Sequence, residues 1–523
     1  MKLFGNYKST VFTNIFALTV FAALAMPVCG VAQNIATQEP KATHHHYKLI
    51  DVGALGGPSS LFSGPILQIL NNRGTFAVIA NTATANPNPG CNIPLSLPDC
   101  FVEHAAAWHG GSLIDLGVLP GGANSQTVAI GAKGLIAGWS ENGLVDPLIG
   151  QPEIVAVLWE GRKAVNLGTL PGGTESLAAG VNSRGQVAGF SNNDVSDAFS
   201  LVGFPTQTRA FLWQNGVVRD LGTLGGPDAV PNVINELGQI AGFSYTDSTN
   251  QTTGAPIQDP FLWQNGTMTD LGTLGGTFGT ANWMNNRGQV VGTSNLAGDA
   301  THHGFLWDEG MLVDLGTLGG IRSEANWISE SGFVVGRADV PGSMSHHAFR
   351  WKNGVMADLG LLPLQTCSTA LSANNRGQVV GETAVCGVNV SGPAFISEDG
   401  EPMVDVNTLI VPASDLNVVD AFNINERGEI AAHGNLSNGD SHAVLLIPCD
   451  ENHADVDGCD YEPVEAVTES LSSLAPIASA SQAPAQASLT PSKIKDRIHA
   501  LLLNPEWPIR SWATKIDSRK TRR

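Results

Sequence analysis

Short apolar runs separated by turn residues repeat along residues 47–448 of the chain. The clearest unit reads ANWMNNRGQVVG at 281–292 and, after a short loop, GFLWDEGMLVDLG at 304–316. Each run has the length of a strand, and the Asn and Gly residues between runs tolerate the positive φ of tight turns. No helical spacing of apolar residues occurs in this region. The pattern predicts four antiparallel strands per unit, which we call a, b, c and d in chain order.

The unit recurs at the interval expected of a propeller blade. A DLG-like element, identical as DLGTLGG in three copies, begins at Asp51, Asp115, Asn166, Asp220, Asp270, Asp314, Asp358 and Asp405. The array opens at 47 with a lone d strand and closes at 442–448 with a c strand that lacks its d. Pairing these two strands removes both open sheet edges. We therefore predict an all-β fold, a β-propeller of eight four-stranded blades closed by an N-terminal outer strand; an open β-repeat array or fewer blades are the alternatives.

The strand order divides the connections between two faces. The short a–b and c–d turns share one face, the turn face, and the d–a joints and b–c loops share the other, the loop face. The b–c loops vary from 79–103 in the first unit to 295–303 in the fifth. Variable loops on a rigid scaffold are where binding and catalysis concentrate. We therefore expect function on the loop face.

The repeated DLGTLGG segment has the glycines and acid of a phosphate loop but lacks its context. A phosphate loop leads from a strand into the N-terminus of a helix, whereas these glycines lie between two strands. Hydrogen bonds within or between neighbouring blades are therefore predicted for the aspartates of the repeat, Asp115, Asp220, Asp270, Asp314 and Asp358.

The c strands carry the signature of a known family. HHAFRW contains a complete His-Ala-Phe run at His347, and partial copies occur at His104, His303 and His442. Over residues 47–448 the chain resembles the HAF repeat family of bacterial extracellular proteins. The resemblance implies export and a repeat scaffold, and it implies no defined reaction.

The N-terminus and the cysteines both indicate export. Lys2 and Lys8 precede an apolar run at 11–26, and small residues follow at 30 and 32. This predicts a signal peptide at 1–32 and a secreted, extracellular or periplasmic protein; an uncleaved membrane anchor is the alternative. The mature chain keeps an even number of cysteines, in neighbouring couples. We predict three loop-stapling disulfides, Cys91–Cys100, Cys367–Cys386 and Cys449–Cys459.

Charge is distributed unevenly along the chain. Residues 493–523 hold nine basic and three acidic residues, a charge of +6, which leaves −26 for the rest of a chain of net charge −20. The acidic body argues against a nucleic-acid partner. The predicted divisions are a leader at 33–46, the propeller at 47–448, a disulfide-bounded acidic turn at 449–462, a Ser/Ala/Pro-rich linker at 463–489 and a basic tail with a short helix at 490–523. The tail could contact an anionic surface or remain a solvated extension.

Three tryptophans interrupt the repeat pattern and are candidate ligand contacts. Trp283 and Trp327 occupy the same a-strand position in consecutive units, where the other units carry Ile, Ala, Gly, Val, Ser or Asn. Trp139 ends a b strand. A stacking platform for sugar rings and filling of the core between blades both account for them.

One acidic segment is a weak calcium candidate. In CDENHADVDGCD at 449–460, oxygen ligands are offered by Asp450, Asn452, Asp455, Asp457 and Asp460. The segment lacks EF-hand spacing and the Glu at loop position twelve. An acidic turn bounded by a disulfide is the alternative, and no other cofactor is predicted.

The sequence nominates no catalytic residue. Carboxylates on or near the loop face could serve a hydrolase or lyase, but a sequence cannot pair them, and solvated loop charge is the alternative. They are Glu141, Glu153, Asp194, Asp228, Asp247, Glu324, Asp339 and Glu382. The histidine pairs 302–303 and 346–347 alternate in direction along a strand, which disfavours a shared metal. We expect a non-catalytic scaffold that binds a glycan, a cell-surface polymer or a protein through its loop face; an extracellular polysaccharide hydrolase or lyase is the alternative.

Overall fold

The computed structural model describes residues 43–465, apart from 63, 65–66, 88–99, 148–149, 252, 343–344, 388–390, 399–400, 455 and 463. The predicted signal peptide, most of the leader, the linker and the basic tail lie outside the described residues. Among the described residues, no helix combines the length and apolar character that crossing a membrane requires.

Antiparallel four-stranded groups fill this part of the chain, and each follows the predicted order a-b-c-d. Blade 1 comprises Gly56–Leu61, Phe76–Ala85, Phe101–His109 and Ser112–Asp115. Blade 2 comprises Ser125–Ile130, Ile136–Val145, Pro152–Glu160 and Lys163–Gly168. Blade 3 comprises Ser176–Val181, Val187–Ser196, Thr206–Gln214 and Val217–Asp220. Blade 4 comprises Gly225–Ile234, Ile240–Thr249, Pro256–Gln264 and Thr267–Asp270.

The second half of the chain repeats the arrangement. Blade 5 comprises Gly275–Met284, Val290–Leu296, His302–Asp308 and Met311–Asp314. Blade 6 comprises Ser323–Ile328, Val334–Asp339, His346–Lys352 and Val355–Asp358. Blade 7 comprises Cys367–Ala373, Val379–Ala384, Phe395–Ser397 and Val404–Asp405, followed by the 3-10 turn Val406–Leu409. Blade 8 comprises Asn417–Ile424, Ile430–Asn435, Ser441–Pro448 and, as its d strand, Tyr47–Asp51.

The all-β propeller class predicted from the sequence is therefore confirmed. The first strand of the array is the outer strand of the last blade, with Tyr47 opposite Pro448 and Asp51 opposite Val444. A small additional sheet joins Thr43–His44 to Val464–Glu465, so the end of the predicted leader pairs with the beginning of the predicted linker. A second 3-10 turn, Glu451–His453, lies in the acidic turn.

Asparagine side chains link the a–b turns of neighbouring blades. The Nδ2 of Asn235 donates to the carbonyl of Asn285 at 3.1 Å, and the Nδ2 of Asn285 donates to the carbonyl of Ser329 at 3.1 Å. Asn182 and Asn374 make the same bond to the next blade. Within its own turn, the Oδ1 of Asn285 accepts the backbone amides two and four residues later. Each asparagine therefore closes one turn and holds the next blade.

The same interaction closes the ring. The Nδ2 of Asn425 in blade 8 donates to the carbonyl of Asn71 in blade 1 at 3.0 Å, across 354 residues of chain. On the opposite face, the amide of Ala443 donates to the hydroxyl of Ser60 at 3.0 Å. Corresponding serine hydroxyls meet c-strand amides between other blades, at Ser125, Ser176, Ser323 and Ser368. Both faces of the first and last blades are thus joined.

Replacement of Asn425 by alanine tests this closure. The variant leaves the turn amides of Arg427 and Glu429 without their partner and removes one of two hydrogen bonds to the carbonyl of Asn71, which still accepts the amide of Gly74. We expect the free energy of unfolding to fall by about 2–6 kcal/mol, at about 1–3 kcal/mol for each of the two unsatisfied amides. Urea denaturation followed by circular dichroism measures the change.

Asn438→Ala is the matched control, because that asparagine lies exposed in a loop and bonds only to neighbouring Asp440 in the contacts described. A surface change of this kind costs at most about 0.5 kcal/mol. Equal stability of the two variants would show that the asparagine links do not hold the ring.

Candidate functional site

The repeat aspartates clamp the outer two strands of each blade. Each carboxylate accepts the amide of the glycine two residues later at 2.7–2.8 Å, in Asp115, Asp220, Asp270, Asp314 and Asp358. In three of these blades the partner on the c strand is a histidine, namely His104, His303 or His347. The Nδ1 of His303 lies 2.8 Å from Asp314, and the Nδ1 of His347 lies 2.9 Å from Asp358. These contacts give the aspartates a structural role.

The clamp changes the pKa of its members. Burial alone would raise the pKa of the Asp51 and Asp358 carboxyls, but hydrogen bonds from the histidine and the glycine amide outweigh it, and both pKa values lie below the ordinary value. The hydrogen bond to Asp51 raises the pKa of His442. Blade 4 departs from this arrangement, because Asp259 takes the place of the histidine. Burial and the neighbouring Asp270 raise the pKa of Asp259 to about 7.

The three tryptophans predicted as ligand contacts are buried. Trp283 and Trp327 are each 8% exposed, and their rings stack on one another at a centroid distance of 3.9 Å. A β-bulge in each a strand, between Ala281 and Trp283 and between Ala325 and Trp327, accompanies this inward packing. Trp139 is 6% exposed. The pair thus fills the core between blades 5 and 6 instead of offering a stacking platform to solvent.

Two of the predicted disulfides are present, Cys367–Cys386 and Cys449–Cys459. Cys100 is also disulfide-bonded, and its predicted partner Cys91 lies outside the described residues. In the calcium candidate, the carboxylate of Asp450 accepts from the amide of Asn452 and contacts the ring of His453 at 2.7 Å. Asp455 is not among the described residues, so calcium binding by Asp450, Asn452, Asp455, Asp457 and Asp460 stays a prediction.

The inner strands differ in polarity between the two halves of the ring. At one register near the loop face, an a-strand residue faces a b-strand residue, and we call this couple the loop-end pair. In blades 1–4 the pairs are largely apolar: Leu61/Ile79, Gln126/Trp139, Leu177/Phe190 and Val230/Phe243. In blades 5–8 they are polar: Thr280/Thr293, Glu324/Arg337, Thr369/Glu382 and Asp420/His433. We call these last four pairs the polar sector.

The polar sector opens into a cleft at the loop ends of blades 5, 6 and 7. Its first cavity measures about 200 Å³ and is lined by residues that include Arg322, Glu324 and Asp339. A second cavity of about 310 Å³ shares Arg337 and His346 with the first and extends to Cys367 and Glu382. We call the two together the blade 6–7 cleft. It lies on the face that the sequence assigns to variable loops.

Ion pairs fix the side chains of the cleft. The Nη2 of Arg337 donates to Glu324 Oε1 at 2.8 Å, and the Nε2 of His302 from blade 5 lies 3.2 Å from the same oxygen. Burial would raise the pKa of Glu324, but Arg337 and His302 hold it well below its usual range, so this carboxylate is ionised. The Nε of Arg322 donates to Asp339 at 2.9 Å, and 45% of the Arg322 side chain remains exposed.

His346 stands between the two cavities. Burial, together with the charge of Arg337, lowers the pKa of its imidazole to about 4. Its ring is therefore neutral near pH 7 and offers one donor and one acceptor nitrogen. Near pH 7 the cleft therefore contains an ionised acceptor, Glu324, and a neutral imidazole, His346.

Sequence reasoning placed Glu324, Asp339 and Glu382 near the loop face but missed Arg322 and Arg337. The signal was available at the residue after the b-strand glycine. It reads Trp139, Phe190 and Phe243 in blades 2–4, then Arg337 and Glu382 in blades 6 and 7. The change from aromatic to charged residues at this repeat position identifies the blades in which the position does not contribute an apolar side chain to the core.

No protein-family model matches the sequence, and no curated protein matches it. The chain is similar in fold to the β-propeller domain of the Trilobed protease from Pyrococcus furiosus, at 10% identity and a TM-score of 0.39, with 66% of this chain and 98% of that chain covered. A polysaccharide lyase of family PL25, an ulvan lyase, gives 10% identity and a TM-score of 0.31, covering 77% and 95%. TolB from Acinetobacter baumannii gives 12% identity and a TM-score of 0.30, covering 51% and 62%. At this similarity none carries an activity over to this chain.

The acid pair of blade 4 yields a test of the clamp. Because the folded protein keeps a proton on Asp259 up to about pH 7, whereas the unfolded chain releases it near pH 4, the stability of the protein falls as the pH rises between these values. Asp259→Arg restores the cation–carboxylate pair that Arg209 makes with Asp220 in blade 3. The free energy of unfolding of Asp259→Arg should exceed that of the wild type, and we expect this difference to be about 1 kcal/mol larger at pH 8 than at pH 4. Urea denaturation at each pH measures it.

Asp259→Asn is the control, since it removes the titration without supplying a cation. Its stability should also gain on the wild type with rising pH, but stay below that of Asp259→Arg at every pH. If the stabilities of the wild type and of Asp259→Arg changed in parallel with pH, the claim that Asp259 keeps its proton in the folded protein would be contradicted.

Proposed function

We propose that this chain is an exported propeller of the HAF repeat type that binds an extracellular glycan or cell-surface polymer in the blade 6–7 cleft without catalysing a reaction. The observation that carries the proposal is the polar sector. At a register that blades 1–4 use mainly for packing, blades 5–8 carry charged or hydroxyl side chains, and those of blades 6 and 7 line a cleft. Buried polar side chains are costly unless they are paired, so their concentration in one sector favours a binding role.

The side chains of the sector suit a ligand that both donates and accepts hydrogen bonds. Arg322 engages Asp339 through Nε, and its guanidinium carries further N–H donors for a carboxylate or hydroxyl. Glu324 and Asp339, which line the first cavity, supply carboxylate oxygens that accept hydrogen bonds. Sugar hydroxyls donate and accept at once, and uronate carboxylates pair with arginine. A polysaccharide that contains uronic acids therefore matches the sector.

The low pKa of Glu324 disfavours a role for this carboxylate as the acid of a hydrolase. A glycosidase needs a carboxyl group that stays protonated to donate to the leaving oxygen. Glu324 is ionised, and the two carboxyls with pKa raised to about 8 and about 7, Asp228 and Asp259, do not line the cavities. Asp228 is also fully buried and accepts the amides of Leu201 and Thr208. A polysaccharide hydrolase or lyase is accordingly the second candidate.

Arg322→Ala tests the binding role. We expect the full-length variant to bind a uronic-acid polysaccharide, such as polygalacturonate, about tenfold or more weakly than the wild type, because a hydrogen bond to a charged group contributes about 1.5–3 kcal/mol. Isothermal titration calorimetry against polygalacturonate and a neutral β-glucan gives the affinities, and an assay for new reducing or unsaturated ends runs in parallel.

Arg427→Ala is a closely matched control on the turn face. The Arg427 side chain is 44% exposed and pairs with a Glu429 that is 4% exposed, whereas Arg322 is 45% exposed and pairs with an Asp339 that is 7% exposed. Binding should survive this change. If both variants lost affinity for polygalacturonate equally, binding in the blade 6–7 cleft would be contradicted. Cleavage of the polymer by the wild type would favour the hydrolase or lyase.

A further inference from the structure

Three potential metal ligands meet in the second cavity of the cleft. His346, Cys367 and Cys386 each offer one ligand atom, and these atoms lie within 4.8 Å of one another. The Nδ1 of His346 is 3.3 Å from the Sγ of Cys367. In the structure the two sulfurs form a disulfide.

The three residues are held by three different strands or strand ends. His346 is the first residue of the blade 6 c strand, and Cys367 is the first residue of the blade 7 a strand. Cys386 follows the end of the blade 7 b strand at residue 384. The neighbouring His347 bonds to Asp358 of its own blade. His347 is thus used by the clamp, and His346 beside it faces the cysteines.

We propose that reduction of the Cys367–Cys386 disulfide converts this group into a binding site for a thiophilic metal ion such as Zn²⁺. A dithiol reductant supplies two electrons and two protons, is itself oxidised to a disulfide, and leaves two thiols on the protein. Binding of Zn²⁺ then releases the two thiol protons and forms two Zn–S bonds and one Zn–N bond. The site alternates between a closed disulfide and a Cys₂His metal centre.

The dimensions suit this exchange. Zinc binds thiolate sulfur at about 2.3 Å and imidazole nitrogen at about 2.0–2.1 Å, so a tetrahedral centre places the nitrogen and sulfur about 3.6 Å apart and the two sulfurs about 3.8 Å apart. The nitrogen–sulfur separation here is 3.3 Å, and the Cα atoms of the two cysteines are 5.4 Å apart. Rotation of the cysteine side chains opens the sulfurs with the strands in place. The cavity of about 310 Å³ leaves room for a fourth ligand from solution.

The test of the metal site uses no glycan, so its outcome is separate from that of the proposed glycan binding. The full-length protein is reduced with dithiothreitol, freed of reductant, incubated with or without Zn²⁺, and alkylated with iodoacetamide. Mass spectrometry of the peptides then reports the modification of each cysteine. We expect Zn²⁺ to slow alkylation of Cys367 and Cys386 about tenfold or more, because metal-bound thiolates are withdrawn from reaction. Cys449 and Cys459 should react equally with and without the metal.

Two adjacent histidines give the control. His346→Ala should abolish the protection. Loss of a residue that only hydrogen-bonds to a metal ligand lowers metal affinity about 10–100-fold, and loss of the ligand itself lowers it further. His347→Ala should retain it. The proposal is overturned if Zn²⁺ protects all four cysteines alike or none, or if both histidine variants behave alike. Unfolding on reduction would expose all the cysteines equally and would count against it in the same way.

Discussion

The hydrogen bond between the asparagine of one a–b turn and a backbone carbonyl of the next blade is the interaction on which the rest of the structure depends. Asn235 and Asn285 each satisfy two turn amides with Oδ1 and one neighbouring carbonyl with Nδ2. Each of these buried carbonyls also accepts an amide of its own turn, from Gly288 or Gly332, so a blade that moved away would break one of the two hydrogen bonds to its acceptor. The same bond occurs in six of the eight described a–b turns, and the bond from Asn425 to Asn71 joins the last blade to the first.

The opposite face is held by different contacts, and the difference explains where variation is tolerated. Serine hydroxyls such as Ser323 reach across to the c-strand amide of the preceding blade, and the aspartate–histidine clamps tie the outer strands. None of these contacts uses the b–c loops or the loop-end pairs. Those positions are therefore free to depart from the repeat, and in blades 5–8 they do so by becoming polar. Cross-strand pairing of Glu324 with Arg337 lets two charges occupy this inner layer without leaving either unpaired.

The fold was predictable from sequence because its information is local and repeated. Each turn carries its own Asn and Gly, and the complementary ends at 47 and 448 require one another. The cleft was not predictable in the same way. Glu324 and Arg337 lie thirteen positions apart and meet only when the hairpin register is known, and His302 joins them from another blade. Trp283 and Trp327 were ambiguous because strand alternation does not show the bulge that precedes each ring. The local sequence pattern therefore predicts the strands and turns of the propeller, whereas the contacts in the cleft depend on the register between strands and on neighbouring blades.

The central claim is that the turn face holds the ring while the polar sector of the loop face binds the ligand. Hydrogen–deuterium exchange of the full chain, with and without a bound polysaccharide, tests it most directly. The account predicts slower exchange on binding in segments 322–324, 337–339 and 367–369, with unchanged exchange in the a–b turns at 285–289 and 425–429. Protection confined to the a–b turns, or to the apolar blades 1–4, would contradict it.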